Sequence, residues 1–313
     1  MTTSAPARTQ QSYRHEALLW RGRSEYLAHL VPFVLDGLDS GEAVLAGVSP
    51  EHARWLREAL GARAGEVRFI TTGLLASNPA RIIPALQALL DECCGPGRPA
   101  RGIGEPVWPG RRPEAVAEAR LHEALMNLAV EPDLPFWLVC PYDADLLGDE
   151  LLADAGRSHP VLATPSSYAG SADYRGRDHA RELFGADLPE LRAPDAEVWV
   201  AERTLDLAAE QVTLHAATDL MSDRVVELTE VVRELVVDSV RRGADTARLR
   251  LWDQPSEIVC EIADRTVIGD LLAGRRAPTS GRVDPVWWAN QTCDLVQLRS
   301  NLRGTTVRLR VSK

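Results

Sequence analysis

The run Phe136-Trp137-Leu138-Val139-Cys140-Pro141-Tyr142-Asp143 decides how the first half of the chain is read. It has the length of a strand, is apolar along most of that length, and stands between Pro135 and an Asp143-Ala144-Asp145 cluster. Apolar residues in unbroken succession, without polar alternation, fit a strand covered on both faces. Working outward, similar β-rich runs occur at EALLW (16–20), AVLAGVS (43–49), VRFIT (67–71) and GIGEPVW (102–108), with HPVLAT (159–164) as a further candidate. Helical patterns separate them. The first has Ser24 as its expected cap and Leu27, Leu30, Val31, Val34, Leu35 and Leu38 at helical spacing; others follow at about 50–60, 78–93, 112–129 and 146–157. Strand and helix in alternation predict a mainly parallel sheet with helices on both faces, and ligands held beyond the carboxyl ends of its strands.

The stretch 166–196, rich in Gly, Ser, Asp and Pro, predicts a linker. Beyond it lie helical patterns at about 203–219 and 222–242, the second with Leu228, Val232, Leu235, Val236 and Val240 as its apolar stripe. Two β-runs follow, ARLRLWD and EIVCEIAD, then a Gly/Pro/Arg-rich loop and a helix near Trp287 to Asp294. LVQLRS and TTVRLRV close the pattern as a hairpin around Asn301 to Gly304. The expectation is an α/β sandwich with helices on one face of a mixed sheet. The chain therefore reads as a disordered lead (1–11), a sensory-type domain (12–165), the linker, and a second domain (197–313).

Composition narrows the chemistry. A formal charge of −10 argues against direct nucleic-acid binding, and no apolar run is long enough to cross a bilayer. Lys313 is the only lysine, which removes P-loop and Schiff-base chemistry. Five cysteines, odd in number and never spaced C-x-x-C, suggest reduced thiols and a cytoplasmic protein. HEAL occurs at His15–Leu18 and again at His122–Leu125, but Leu19 and Met126 stand where a zinc helix needs its second His, so no metal site is expected. Gly22-Arg23-Ser24 lacks the second glycine of a serine-hydrolase elbow.

The densest polar constellation is GIGEPVWPGR (102–111), LHEALMN (121–127) and LVCPYD (138–143). With the opening HEALLW and the NPARIIPAL helix, these segments make most of residues 12–165 resemble a MEDS sensory domain, which implies a small-molecule sensor. The candidate ligand contacts are Glu105, Trp108, His122, Glu123, Asn127, Tyr142 and Asp143. Glu105, Tyr142 and Asp143 fall at ends of predicted strands, and Trp108 offers a face for stacking. His122 to Asn127 suit equally well a structural role, bracing the GIGEP loop. No nucleophile and base stand out as a pair, so binding is expected over turnover.

From about Val198 to Val311 the chain resembles the GHKL nucleotide-binding domain, in the branch of histidine-kinase-like anti-sigma regulatory factors. The residues that carry this are ELVVDSVRRG (234–243), EIADR (261–265), DLLAGR (270–275), NQTCDLVQLRS (290–300) and GTTVRLRV (304–311). The resemblance implies Glu234 as the general base, with Asp238 at the magnesium-binding Asn position and Asp264 as the adenine-recognising Asp. Three departures weaken the nucleotide site. Thr266 replaces a motif glycine, with Gly269 further on, and Val283-Asp284-Pro285 replaces the G-x-G phosphate loop. Val and Pro resist the backbone approach that glycines permit, and losing two charge-assisted bonds at roughly 1.5 to 3 kcal/mol each lowers affinity by about two to four orders of magnitude. The expected protein is an anti-sigma-like regulator without cofactor or catalytic residue, sensing an unknown small molecule and binding a sigma factor or an anti-sigma antagonist; a homodimer is compatible with this. The alternative is an active serine kinase using ATP, with Glu234 as base and Asp238 holding magnesium. A third reading makes the N-terminal domain a small-molecule enzyme.

Overall fold

The computed structural model describes residues 12–70, 77–94, 98–217, 219–278 and 284–313. The expected lead at 1–11 lies outside them, as does Val283 of the expected phosphate loop. The chain divides between Ala180 and Arg181 into two units.

The sheet of the first unit contains β1 (Arg14–Trp20), β2 (Ala43–Gly47), β3 (Arg68–Phe69), β4 (Ala100–Gly104), β5 (Phe136–Asp143), β6 (Val161–Thr164) and β7 (Ser167–Gly170). Their order is β3-β2-β4-β5-β1-β6-β7, and every pair is parallel except β6 with β7. The helices are α1 (Gly22–Asp39), α2 (Pro50–Leu60), α3 (Ile82–Cys94), α4 (Pro113–Ala129) and α5 (Asp149–Ser158). Pleating explains why β5 shows no polar alternation. Trp137 and Val139 enter a core with Leu18, Tyr26, Phe33 and Leu56 beneath α1 and α2, while Phe136, Leu138 and Cys140 turn to the opposite face, toward α3 and α4.

Ser24 does not cap α1. Gly22, at φ +62°, turns the chain into the helix two residues earlier, and Glu25 Oε2 accepts from the Arg21 N–H at 2.7 Å. The expected linker is also structured. Ser167–Gly170 adds β7 to the sheet edge, and α6 (Arg177–Gly185) follows. The pull on this segment is a buried carboxylate: Asp154 on α5 meets His179 Nε2 at 3.3 Å and Arg157 at 3.0 Å, and also accepts from Arg120.

The second unit contains β8 (Ala196–Val200), α7 (Leu205–Ala216), α8 (Ser222–Arg241), β9 (Ala247–Asp253), β10 (Glu257–Asp264), α9 (Pro285–Thr292), β11 (Leu295–Asn301) and β12 (Gly304–Ser312). Strand order is β11-β12-β10-β9-β8. The sheet is antiparallel at every pairing, where a mixed one was expected. Short hairpin turns join β9 to β10 and β11 to β12. Leu249, Leu251, Cys260, Ile262 and Leu309 share a buried face packed by α8. Their alternating neighbours Arg250, Glu261 and Arg308 line an open groove with Trp199 on the other face. Among the described residues no helix is long and apolar enough to cross a membrane.

Candidate functional site

Glycines make room for a cavity in the first unit. Gly47, Gly102 and Gly104 face α3 and α4 from β2 and β4, and the space above them is a cavity of about 90 Å³. A Cβ on Gly102 would stand 2.8 Å from Phe136, and one on Gly104 would stand 3.5 Å from Leu138. Leu45, Ile82, Leu86, Met126, Phe136 and Leu138 supply the apolar lining, and Trp108 lies in the wall. The polar lining is Glu105, His122, Glu123 and Cys140, all buried. Such a lining, apolar with a few buried polar groups, suits a small ligand that is mostly hydrocarbon and carries a hydrogen-bond donor.

Glu105 is heavily engaged. Tyr26 Oη donates to it at 2.8 Å, the Ser49 N–H at 3.0 Å, and His52 Nδ1 lies 2.8 Å away. These contacts tie the end of β4 to the start of α2, where Ser49 Oγ accepts from the His52 N–H. The Arg111 guanidinium lies 4.1 Å from the Trp108 ring centre, and burial pushes its pKa down to about 10.

A second polar group lies at the cavity wall. His15 on β1 and His159, just after α5, each present Nε2 to Glu123 Oε2, at 3.3 and 2.8 Å. Cys140 Sγ is 3.4 Å from His15 Nε2. All four residues are buried, and these ligand-type atoms lie within 4.8 Å of one another. Burial alone would raise the Glu123 carboxyl, but the facing rings outweigh it and hold the group well below the usual carboxylate range. Burial, joined by the Glu123 charge, pushes the Cys140 thiol and the Tyr142 phenol well up, so neither is a ready nucleophile.

Glu105, Trp108, His122 and Glu123 thus converge on one cavity. The other three sensor candidates lie outside its lining. Tyr142 places its ring centre 5.7 Å from that of His159. Asn127 accepts from His15 Nδ1 at 3.2 Å and donates to the Ser158 carbonyl at 2.7 Å. Asp143 accepts from the backbone N–H groups of Asp145 and Leu146, closing a turn. His15, Cys140 and His159 were not among the sequence candidates; the available signal was a histidine or cysteine inside or beside an apolar strand.

In the second unit, Asp238, Asp264 and Thr266 of the expected degenerate nucleotide site share one network with Arg242 and Ser239. Asp264 accepts from Ser239 Oγ at 2.6 Å and Arg242 Nη2 at 2.7 Å on one oxygen. Its other oxygen accepts from the Thr266 N–H at 2.6 Å and Thr266 Oγ1 at 2.5 Å. Asp238 pairs with the same Arg242. Glu234 lies half-buried on α8, one turn before Asp238, and Gly269 lies in the segment after β10. Asp284 caps α9, accepting from the N–H groups of Val286 and Trp287 at 2.8 and 3.2 Å, with Pro285 in the first helical turn.

No curated protein matches the sequence. Residues 14–160 match the family described as MEDS, the MEthanogen/methylotroph, DcmR Sensory domain. That span takes in β1 through α5, with the cavity, His15, His159, Glu105 and Glu123 inside it. The N-terminal part of this chain is a MEDS sensory domain.

Proposed function

We propose that the chain is a small-molecule-responsive regulator. Its first unit binds a small, mostly apolar molecule bearing a hydrogen-bond donor, such as a short-chain alcohol or primary amine, in the glycine-floored cavity. Its second unit answers by binding a protein partner, a sigma factor or an anti-sigma antagonist, without phosphoryl transfer. The observation that carries the sensing half is the cavity itself, apolar along most of its lining, with Glu105, His122, Glu123 and Cys140 as its buried polar members. For the output half, support comes from Asp264, whose two oxygens already accept four hydrogen bonds and leave little capacity for an adenine amino group. Arg242 neutralises Asp238 where magnesium would be needed.

The test is a melting-temperature screen of the full chain against short-chain alcohols and primary amines. A ligand at one hundred times its dissociation constant stabilises by roughly 2.7 kcal/mol. The expected result is a saturable rise for some members in the parent and its loss in Gly104→Val, which fills the cavity floor. No rise for any member, or an equal rise in both proteins, would contradict the reading.

A further inference from the structure

His15, Glu123, Cys140 and His159 come from β1, α4, β5 and the end of α5, so four separate segments deliver two imidazoles, a carboxylate and a thiol to one buried point. The outward nitrogens of both rings are committed. His159 Nδ1 lies 2.8 Å from the Ala155 carbonyl, which can only accept. Asn127 donates its amide to the Ser158 carbonyl, which turns Oδ1 toward His15 Nδ1 as an acceptor. Both Nδ1 atoms therefore carry a proton, and Nε2 is the atom that each ring turns inward toward Glu123 Oε2.

At 2.8 and 3.3 Å from one Glu123 oxygen the two ring nitrogens crowd a single point, with Cys140 Sγ 3.4 Å from His15 Nε2. A cation at that point would take an electron pair from each of the four groups. The spacing fits one: ligands at roughly 2.0–2.3 Å from a tetrahedral zinc ion stand about 3.3–3.8 Å from one another. The separations of 3.3 and 3.4 Å lie at that edge length, and the 2.8 Å pair needs only a small opening. Histidines that donate their second nitrogen to a carbonyl or amide oxygen are the usual support of a metal site.

We propose that His15 Nε2, His159 Nε2, Glu123 and Cys140 Sγ together bind one zinc(II) ion. Nitrogen, sulfur and oxygen in this mixture favour zinc over calcium or magnesium, which take oxygen ligands. Glu123 and Cys140 also line the cavity, so the ion has a way in and forms part of the cavity wall. Among the described residues no other group of histidines, cysteines and acids is placed to hold an ion. The spacing argument against zinc at HEAL concerned one helix; here the donors come from His15 of the first HEAL and Glu123 of the second.

The test uses the untagged full chain, stripped with chelator and reloaded, without any small molecule, so its outcome is independent of the sensing proposal. Reloading with zinc should give about one ion per chain, the stoichiometry of a four-ligand site. Reloading with cobalt(II) should give tetrahedral absorption bands with a thiolate charge-transfer band, and Cys140→Ser should abolish the latter. Asn127→Ala, which keeps all four ligands, should weaken zinc binding roughly 10- to 100-fold. A parent protein that takes up no cobalt, or whose charge-transfer band persists in Cys140→Ser, overturns the assignment, and the first of these outcomes does not depend on a variant folding.

Discussion

Asp154 shows how single residues hold this fold together. It is buried, yet Arg120, Arg157 and His179 surround it. Burial would raise its pKa, but His179 and Arg120 outweigh that and hold it far below the usual range. A carboxyl depressed in the folded state contributes stability that is present above its unfolded pKa and is lost as pH falls through the folded one. Asp154→Asn should therefore lower unfolding free energy by about 2 kcal/mol near pH 6, and the deficit should shrink as pH falls below about 3.9. Urea denaturation of both proteins across that range checks it; a deficit that stays constant into acid would refute it. The site was partly legible at this scale. LHEALMN marked His122 and Glu123 as polar groups on a helix beside a pocket. His15, Cys140 and His159 were not legible together, because their meeting depends on β1 lying between β5 and β6, which no local pattern encodes.

The hairpin of β11 and β12 carries the strictest backbone demand in the second unit. Gly304 sits at φ +138°, and a Cβ there would fall 1.9 Å from the Asp264 carbonyl oxygen. Gly304→Ala should cost at least about 2 kcal/mol, combining strain with overlap against backbone that cannot move aside. Thermal unfolding of the variant checks this; a loss no larger than that of an exposed strand glycine would count against the close approach. This hairpin, β9 and β10 were readable from strand-length apolar runs and turn residues. The structure of 166–196 was not, because β7 and α6 are short and polar and are ordered by pairing with β6 and by His179 meeting Asp154. Strand β8 was missed for a similar reason: AEVWV leaves Trp199 60% exposed and is defined mainly by its pairing with β9.

For the molecule as a whole, sensing and output are separable claims. The output reading predicts that magnesium-ATP at millimolar concentration leaves the melting temperature of the full chain unchanged, whereas a working site saturated a hundredfold would add roughly 2.7 kcal/mol. A magnesium-dependent rise would restore the kinase alternative. The fold class of both halves was legible because hydrophobic period and element order are sequence properties. The cavity was legible only in outline, since its size depends on Gly102 and Gly104 facing Phe136 and Leu138 across the sheet surface. The most direct test of the sensing claim is methyl NMR of the full chain titrated with short-chain alcohols and primary amines. The account predicts saturable shifts centred on the methyl-bearing lining of the cavity, Ile82, Leu86, Met126 and Leu138 among it, and their absence in Gly104→Val. Saturable shifts confined to residues outside that lining, or none at all, would contradict it.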